Sequence, residues 1–355
     1  VVIETEVCFS GSSRPAPRSG PPVTATVLVT DYAWPTLDIE REVLRGVGAD
    51  VLLSTSGNEA ELLELAPRAD AILTCWKPVG AAVIRAAVNC RTIARYGVGL
   101  DNIDVSAATE SGIVVSNVPG FCTEEVADHT MALALSHLRH IAQFASRTTA
   151  GEWDNRACGP MRRLRGQVFG LVGYGRIAQA VATRATAFGF DVLVFSPSRT
   201  GPSSGGVRFA TDLVELLSNS DVISLHVPST PATRGLIGAD ALAATKPGAV
   251  LINTARGTLI DEEALAEALR SGRLGGAALD VLAVEPPQAD HALLGMPQVT
   301  VTPHAAFDSL EAIAALQESA ARNVAAVLSG GRPRTIVNPE VLSRPNLRIP
   351  VRNGR

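Results

Sequence analysis

From residue 23 onward the chain alternates between two hydrophobic rhythms. The stretches TATVLVTD (24–31), DVLLST (50–55), DAILTC (70–75), CRTIARYG (90–97) and IVVSNVP (113–119) hold short, nearly unbroken apolar runs. Such runs suit strands buried on both faces. Between them, LDIEREVLRGVG (37–48), EAELLELAPRA (59–69) and GAAVIRAAVN (80–89) space their apolar residues at helical intervals, the first with a glycine stop at Gly46 or Gly48. Strand and helix in alternation predict a parallel sheet covered on both sides.

The stretch CTEEVADHTMALALSHLRHIAQFASR (122–147) predicts one long helix, with Thr123 as N-cap and Glu124 and Glu125 in the first turn. Its place between two blocks fits an interdomain helix or a buried core helix. A second block follows with six further strands, GQVFGLVGYG (166–175), DVLVFS (191–196), DVISLHVP (221–228), AVLINTA (249–255), GGAALDV (275–281) and QVTVTPH (298–304). Helices such as DEEALAEALRSG (261–272) lie between them. One more helix, SLEAIAALQESAARNVAAVLSG (309–330), and the short TIVN (335–338) would return to the first block.

The expected architecture is therefore α/β. It comprises a discontinuous first domain (23–120 plus 305–338), a second domain (121–304), a Ser/Pro/Gly-rich disordered leader (1–22) and a tail (339–355). Composition adds exclusions. A net charge of −4 without a basic stripe argues against nucleic acid or an anionic membrane as partner, and no apolar run is long enough for a membrane helix. The first residues lack the basic region of a signal peptide. Five cysteines (Cys8, Cys75, Cys90, Cys122, Cys158) show no CxxC pair and no metal-ligand spacing, which fits reduced thiols in a cytoplasmic protein and no metal.

The chemistry begins at 166–195, which supplies strand, glycine turn, helix and second strand in the length of a dinucleotide-binding βαβ unit. Gly173 permits the tight turn, Gly175 lets the backbone approach a pyrophosphate, and Ala178 is small enough for helix and strand to pack closely. The helix start at Arg176 and Ile177 offers free N–H groups and a positive dipole end. At the end of the second strand, where a carboxylate usually meets a ribose 2′-hydroxyl, stands Ser196, while the nearby acid, Asp191, lies at the wrong end. Ser196, Ser198 and Arg199 suit a 2′-phosphate, so NADP(H) is favoured over NAD(H); Ser196 bonding an NAD ribose is the competing reading.

Three later strands end in reactive side chains: Arg256 after INTA, Glu285 beyond ALDVLAV, and His304 after VTP. In a doubly wound sheet such positions converge on the ligand crevice. A guanidinium can hold a 2-oxo acid by its carboxylate and polarise its carbonyl. An imidazolium can protonate the developing alkoxide, and a neighbouring carboxylate favours and orients that imidazolium.

With NTARG (253–257), DVLAVEP (280–286) and TPH (302–304) in this order, the chain resembles the D-2-hydroxyacid dehydrogenase family from about Val23 to Asn338. The stretches NVPGFCTEEVADHTMAL (117–133) and TPHAAF (302–307) are similar to its C-terminal-binding-protein-like branch. The resemblance implies two doubly wound parallel-sheet domains, a flavodoxin-like substrate domain and a Rossmann nucleotide-binding domain, with the active site in the cleft. It implies interconversion of a 2-oxo acid and a D-2-hydroxy acid, and a homodimer formed through the nucleotide domains. Arg256, Glu285 and His304 would be catalytic. Arg176, Ile177, Val227, Pro228, Thr233, Thr254, Ala255 and Asp280 would contact the cofactor. RYGVGLDNID (95–104) resembles the substrate signature, with Val98 and Gly99 on the substrate carboxylate and Trp76 and Lys77 facing substrate and cofactor.

Departures refine this picture. Ser196 replaces the family's usual acid. Phe307 and Asp308 stand where corepressor members carry an aromatic pair, and Glu285 stands where formate dehydrogenases carry Gln. Lys77 is one of only two lysines, with Lys246, and would suit a substrate bearing a second anionic group. A cofactor-sensing regulatory binding protein, as in the corepressor branch, is the alternative to an enzyme.

Overall fold

In a computed structural model, residues 25–197 and 206–349 are described. The expected leader, Ser198, Arg199 and the last six residues lie outside them. Internal contacts divide the chain into two units, Val1–Tyr96 with Asn102–Asn117 and Gln317–Arg355, and Gly97–Asp101 with Val118–Leu316.

The first unit holds five strands: β1 (Ala25–Val29), β2 (Ala49–Leu53), β3 (Ala71–Thr74), β4 (Thr92–Arg95) and β5 (Val114–Ser116). They pair in parallel in the order β2-β1-β3-β4-β5, the flavodoxin-like arrangement. Val27, Leu28, Val29, Ile72, Leu73 and Ile93 are fully buried, which is why these runs carry almost no polar residue. Helices Asp38–Arg45, Glu59–Leu65, Ala81–Ala86 and Val105–Glu110 connect the strands. Asn58 and Asp104 cap two of them by accepting from Glu61 N and Ala107 N.

The second unit holds seven strands: β6 (Val168–Val172), β7 (Asp191–Phe195), β8 (Val207–Phe209), β9 (Val222–Leu225), β10 (Ala249–Asn253), β11 (Leu274–Leu279) and β12 (Val299–Val301). Again all pairs are parallel, in the order β12-β11-β10-β9-β6-β7-β8. The chain moves outward from β6 through β7 to β8, then returns to the other side of β6 as β9. This reversal is the topological switch point of a Rossmann sheet. The architecture is thus two-domain α/β, with parallel Rossmann-like sheets. Among the described residues, no helix is long and apolar enough to cross a membrane.

Four expectations need correction. The single helix expected over 122–147 is two, Thr123–Leu138 and Ile141–Thr149, because His140 takes a left-handed conformation (φ 52°) and turns the chain. Its N-cap is Cys122 rather than Thr123, whose hydroxyl donates to Gly120 O. A seventh strand, β8, was not expected. Residues 339–349, expected as tail, pack on the first unit: Val341 and Ile349 are buried with Val114 and Val327, and Arg348 N donates to Gly112 O.

Within the first unit, an ionisable side chain sits wholly inside. Glu40 is fully buried, accepting from Trp34 Nε1 at 3.2 Å and Gln317 Nε2 at 2.9 Å, and the Trp34 ring meets Tyr96 edge-on at 4.7 Å. Burial pushes its carboxyl above the ordinary range, against the hydrogen bonds that favour the charged form. A carboxyl raised in the folded state stabilises below its unfolded pKa, and that stability is lost as pH rises through the folded value. Thermal unfolding followed by Trp fluorescence should therefore show the parent losing stability relative to Glu40→Gln as pH rises from mildly acidic to neutral.

Candidate active site

Every candidate in the second unit lies just past a strand's carboxyl end. After β6, Gly173 has a φ of 98°, and a Cβ there would stand 2.5 Å from His226 O and 2.8 Å from Val227 Cγ1. Only glycine allows the turn and the approach of the β9 loop together. Gly175, with open space around a hypothetical Cβ, precedes the helix Arg176–Ala187, and Ala178 is buried beneath it. Arg176 is exposed and Ile177 half-buried, so the helix start faces outward. Those features fit a dinucleotide's pyrophosphate: free N–H groups, a dipole end and a backbone that can be approached.

On the neighbouring loop, Val227 lies beside the Gly173 turn, and Thr233 Oγ1 donates to Pro228 O at 2.7 Å while accepting from Thr230 N. His226, behind them, is bonded to Ser224 Oγ at 2.9 Å and pushed down to about 4 by burial. It is neutral near pH 7 and adds no charge to the turn. At the end of β7, Ser196 is 8% exposed, and Asp191 lies at the opposite end of that strand.

After β10, the buried Asn253 shapes the next turn: its Oδ1 accepts from Ala255 N and its Nδ2 donates to Arg256 O. Thr254 Oγ1 is 2.9 Å from Thr130 Oγ1 of the long helix. Arg256 Nε donates to Asp101 Oδ2 at 2.8 Å, its Nη1 to Ala255 O at 2.7 Å, and its Nη2 fills the space a side chain at Gly99 would need. Val98, beside Gly99, is exposed. Arg256 and the Val98–Gly99 backbone are therefore brought together.

Glu285 and His304 meet directly. His304 Nδ1 lies 2.7 Å from Glu285 Oε2, and Glu285 Oε1 accepts from Leu282 N at 3.0 Å. Burial, the largest influence on Glu285, pushes its carboxyl up. The hydrogen bond and charge of His304, the Leu282 N–H and Arg256 together hold it below the ordinary range. With Nδ1 committed to Glu285, Nε2 is the ring nitrogen suited to exchange a proton with a ligand. Phe307 lies edge-on to the His304 ring at 6.1 Å and tilted against Phe121 at 6.3 Å. Asp280 is buried, its oxygens turned to Thr302 Oγ1 and to the N–H groups of Ala305 and Ala306.

In the first unit, Trp76 (45% exposed) and Lys77 follow β3. Their loop is held by Asp31, at the end of β1, whose carboxylate accepts from the N–H groups of Cys75, Trp76 and Lys77 at 3.0, 2.8 and 3.2 Å. Sequence reasoning missed Asp31, Asp101, Asn253 and Gly257. An acid directly after the first strand was a visible signal for Asp31; the other three had none, because their partners are remote or are backbone.

Gly257 sets how close the Arg256 and Glu285 loops come. A Cβ there would lie 1.9 Å from the Leu282 carbonyl carbon, against backbone that cannot swing aside. Gly257→Ala should cost about 1–3 kcal/mol of stability by overpacking, read as a lowered Tm.

A family model described as "D-isomer specific 2-hydroxyacid dehydrogenase, NAD binding domain" matches residues 131–306. A glyoxylate reductase of Thermococcus litoralis is 38% identical over 321 residues, 88% of this chain and 90% of that protein. A D-3-phosphoglycerate dehydrogenase of Methanocaldococcus jannaschii is 40% identical over 315 residues, 88% of this chain but 59% of that protein. Against another such dehydrogenase, of Archaeoglobus fulgidus, the chain spans 52% of the length. Among solved structures, an NADPH-dependent glyoxylate/hydroxypyruvate reductase from Sinorhizobium meliloti, in complex with NADP and malonate, matches with a TM-score of 0.78 and 32% identity over 89% of this chain and 97% of that one.

Proposed function

This chain belongs to the D-isomer specific 2-hydroxyacid dehydrogenase family, and from that membership we propose that it is an enzyme reducing a 2-oxo acid to the D-2-hydroxy acid with NAD(P)H. The observation that carries the reading is the His304–Glu285 pair at 2.7 Å, with Arg256 on the adjoining loop. When bound, a nicotinamide cofactor supplies the hydride. Gly173, Gly175, Arg176, Ile177, Val227, Pro228, Thr233, Thr254 and Ala255 would hold it, on the turns described above. Asp280 contributes from beneath through the loop that bears His304.

Arg256 holds the substrate carboxylate with its guanidinium and draws electron density from the carbonyl. Val98 and Gly99 contribute backbone next to that guanidinium. His304 passes the proton from Nε2 to the carbonyl oxygen as it becomes an alkoxide, and Glu285, bonded to Nδ1, fixes the plane of the ring. In the oxidative direction the same nitrogen accepts the proton. The likeness to the C-terminal-binding-protein-like branch is one of motif, and this reading assigns the chain catalysis rather than regulation.

His304→Ala should lower kcat/KM for every accepted 2-oxo acid by about 10²–10⁴-fold while NADPH still binds. The assay is a panel of 2-oxo acids that includes dicarboxylates and phosphonates. Cofactor binding without turnover of any of them would favour the regulatory reading. On the same panel, Lys77→Ala should raise KM about tenfold for dianionic substrates alone, the worth of one charge-assisted hydrogen bond. An equal rise for all substrates counts against its selectivity role.

For the cofactor, relatives use both forms, and the preference for NADP(H) rests on the residue types Ser196, Ser198 and Arg199 in the sequence that follows β7. Arg199→Ala should reduce the ratio of kcat/KM with NADPH to that with NADH by about tenfold or more. A ratio equal to the parent's removes the basis for the preference.

A further inference from the structure

The helix Thr123–Leu138 carries a histidine that the reading above leaves without a task. His129 Nε2 lies 3.0 Å from Thr302 Oγ1 and 3.5 Å from Asp280 Oδ1. The direction of these bonds follows from the donor inventory. Thr302 has one hydroxyl hydrogen, and at 2.5 Å it goes to Asp280 Oδ1, because a carboxylate only accepts. The Thr302 oxygen then has only lone pairs to offer the imidazole. His129 is therefore the donor and carries its hydrogen on Nε2.

Asp280 is the centre of this chain of bonds, with a side chain only 1% exposed. Besides Thr302, its Oδ1 accepts from Ala305 N at 2.9 Å and its Oδ2 from Ala306 N at 2.9 Å, while its own carbonyl accepts from His304 N at 2.8 Å. These amides bracket His304, whose φ is +54°, a conformation that non-glycine residues hold only when their surroundings compel it. Among the described residues, His129 is the one side chain of cationic capacity paired with Asp280. The neighbouring acids on the same helix are turned elsewhere: Glu124 and Asp128 to Arg184, and Glu125 to Ser309.

We propose that His129 is a positioning residue for the proton-transfer histidine. Its N–H, through Thr302, fixes the Asp280 carboxylate; that carboxylate fixes the Ala305 and Ala306 amides, and so the left-handed turn that holds the His304 ring against Glu285. His129 touches neither the substrate nor the cofactor in this role. The inference rests on the assignment of His304 as acid and base, and its test carries a readout independent of turnover.

Two variants separate the roles. His129→Gln keeps an N–H donor of similar reach, and His129→Leu removes it. Hydrogen–deuterium exchange of the peptide spanning 302–307 is measured without substrate, and kcat and KM are measured on an accepted 2-oxo acid. In His129→Leu the Ala305 and Ala306 amides should exchange on the order of tenfold faster, since they lose a fixed acceptor. In the same variant kcat should fall about tenfold with KM near the parent's, as expected for a misplaced proton donor. His129→Gln should resemble the parent in both. Should His129→Leu fail to fold, Thr302→Val breaks the next link and must show the same faster exchange. Unchanged exchange in the folded variants, or a Gln variant as impaired as the Leu variant, overturns the proposal. Exchange that responds as expected in a protein that turns over no 2-oxo acid sinks the catalytic assignment and leaves the positioning intact.

Discussion

Parallel strand pairing is the constraint on which the rest depends. When every strand in a sheet runs the same way, every strand-to-helix turn emerges at one edge. Gly173 follows β6, Ser196 follows β7, Val227 follows β9, Thr254 to Arg256 follow β10, Asp280 follows β11, and Thr302 to His304 follow β12. No side chain has to reach across the unit to join the others. The sheet order sets which turns are neighbours, and close backbone approaches at Gly173 and Gly257 set how near they come. The chemistry is then supplied by whichever residue types stand at those turns.

The same chemical group is tuned three ways by where it stands. Glu40, sealed inside the first unit, is pushed up because burial outweighs its hydrogen bonds. Glu61, on the surface, is held far below the ordinary range because the Ser56 hydroxyl and the Thr55 and Ser56 N–H groups converge on it, along with the Thr55 hydroxyl. Glu285 lies between these cases: burial raises it, but a histidine, an amide and a guanidinium more than compensate. Of the three, only Glu285 combines partial burial with a partner able to exchange a proton. That combination is what the proposed proton-transfer role of Glu285 rests on, and neither of the other two has it.

The strands were legible because buried parallel strands are continuous apolar runs, and the glycine turn because its neighbours fell at the right spacing. β8 was not legible, since a three-residue edge strand with one buried side chain (Val207) has no periodicity to read. The break at His140 has neither Gly nor Pro to announce it. In the site, residue types that are chemically conspicuous at strand ends stood out: Arg256, Glu285 and His304. Asp31, Asp101 and His129 did not, because each acts on a partner far away in sequence: Cys75 44 residues on, Arg256 155, Thr302 173. A local window cannot contain such a contact. Only the fold brings the pair together.

The loop bearing Lys77 shows how such unannounced residues order a candidate site residue. Its N–H groups are held by Asp31, and the Lys77 carbonyl accepts from Thr74 Oγ1 and Asn102 Nδ2, each at 3.0 Å. The side-chain stem lies against Gly57, in the Ser54–Gly57 turn that Glu61 organises. A lysine on a free loop loses much rotamer and backbone freedom when it grips an anion, and that loss reduces the gain from the charge. Here the backbone is fixed on both sides and the first part of the stem is packed, so only the outer carbons remain to be ordered. The consequence is asymmetric. Under the role proposed for Lys77, a substrate with a second anionic group would collect the full benefit of the ammonium, whereas one without it would gain nothing from the same ordered loop. With that role, a loop fixed in this way would discriminate between substrates rather than tighten all of them alike.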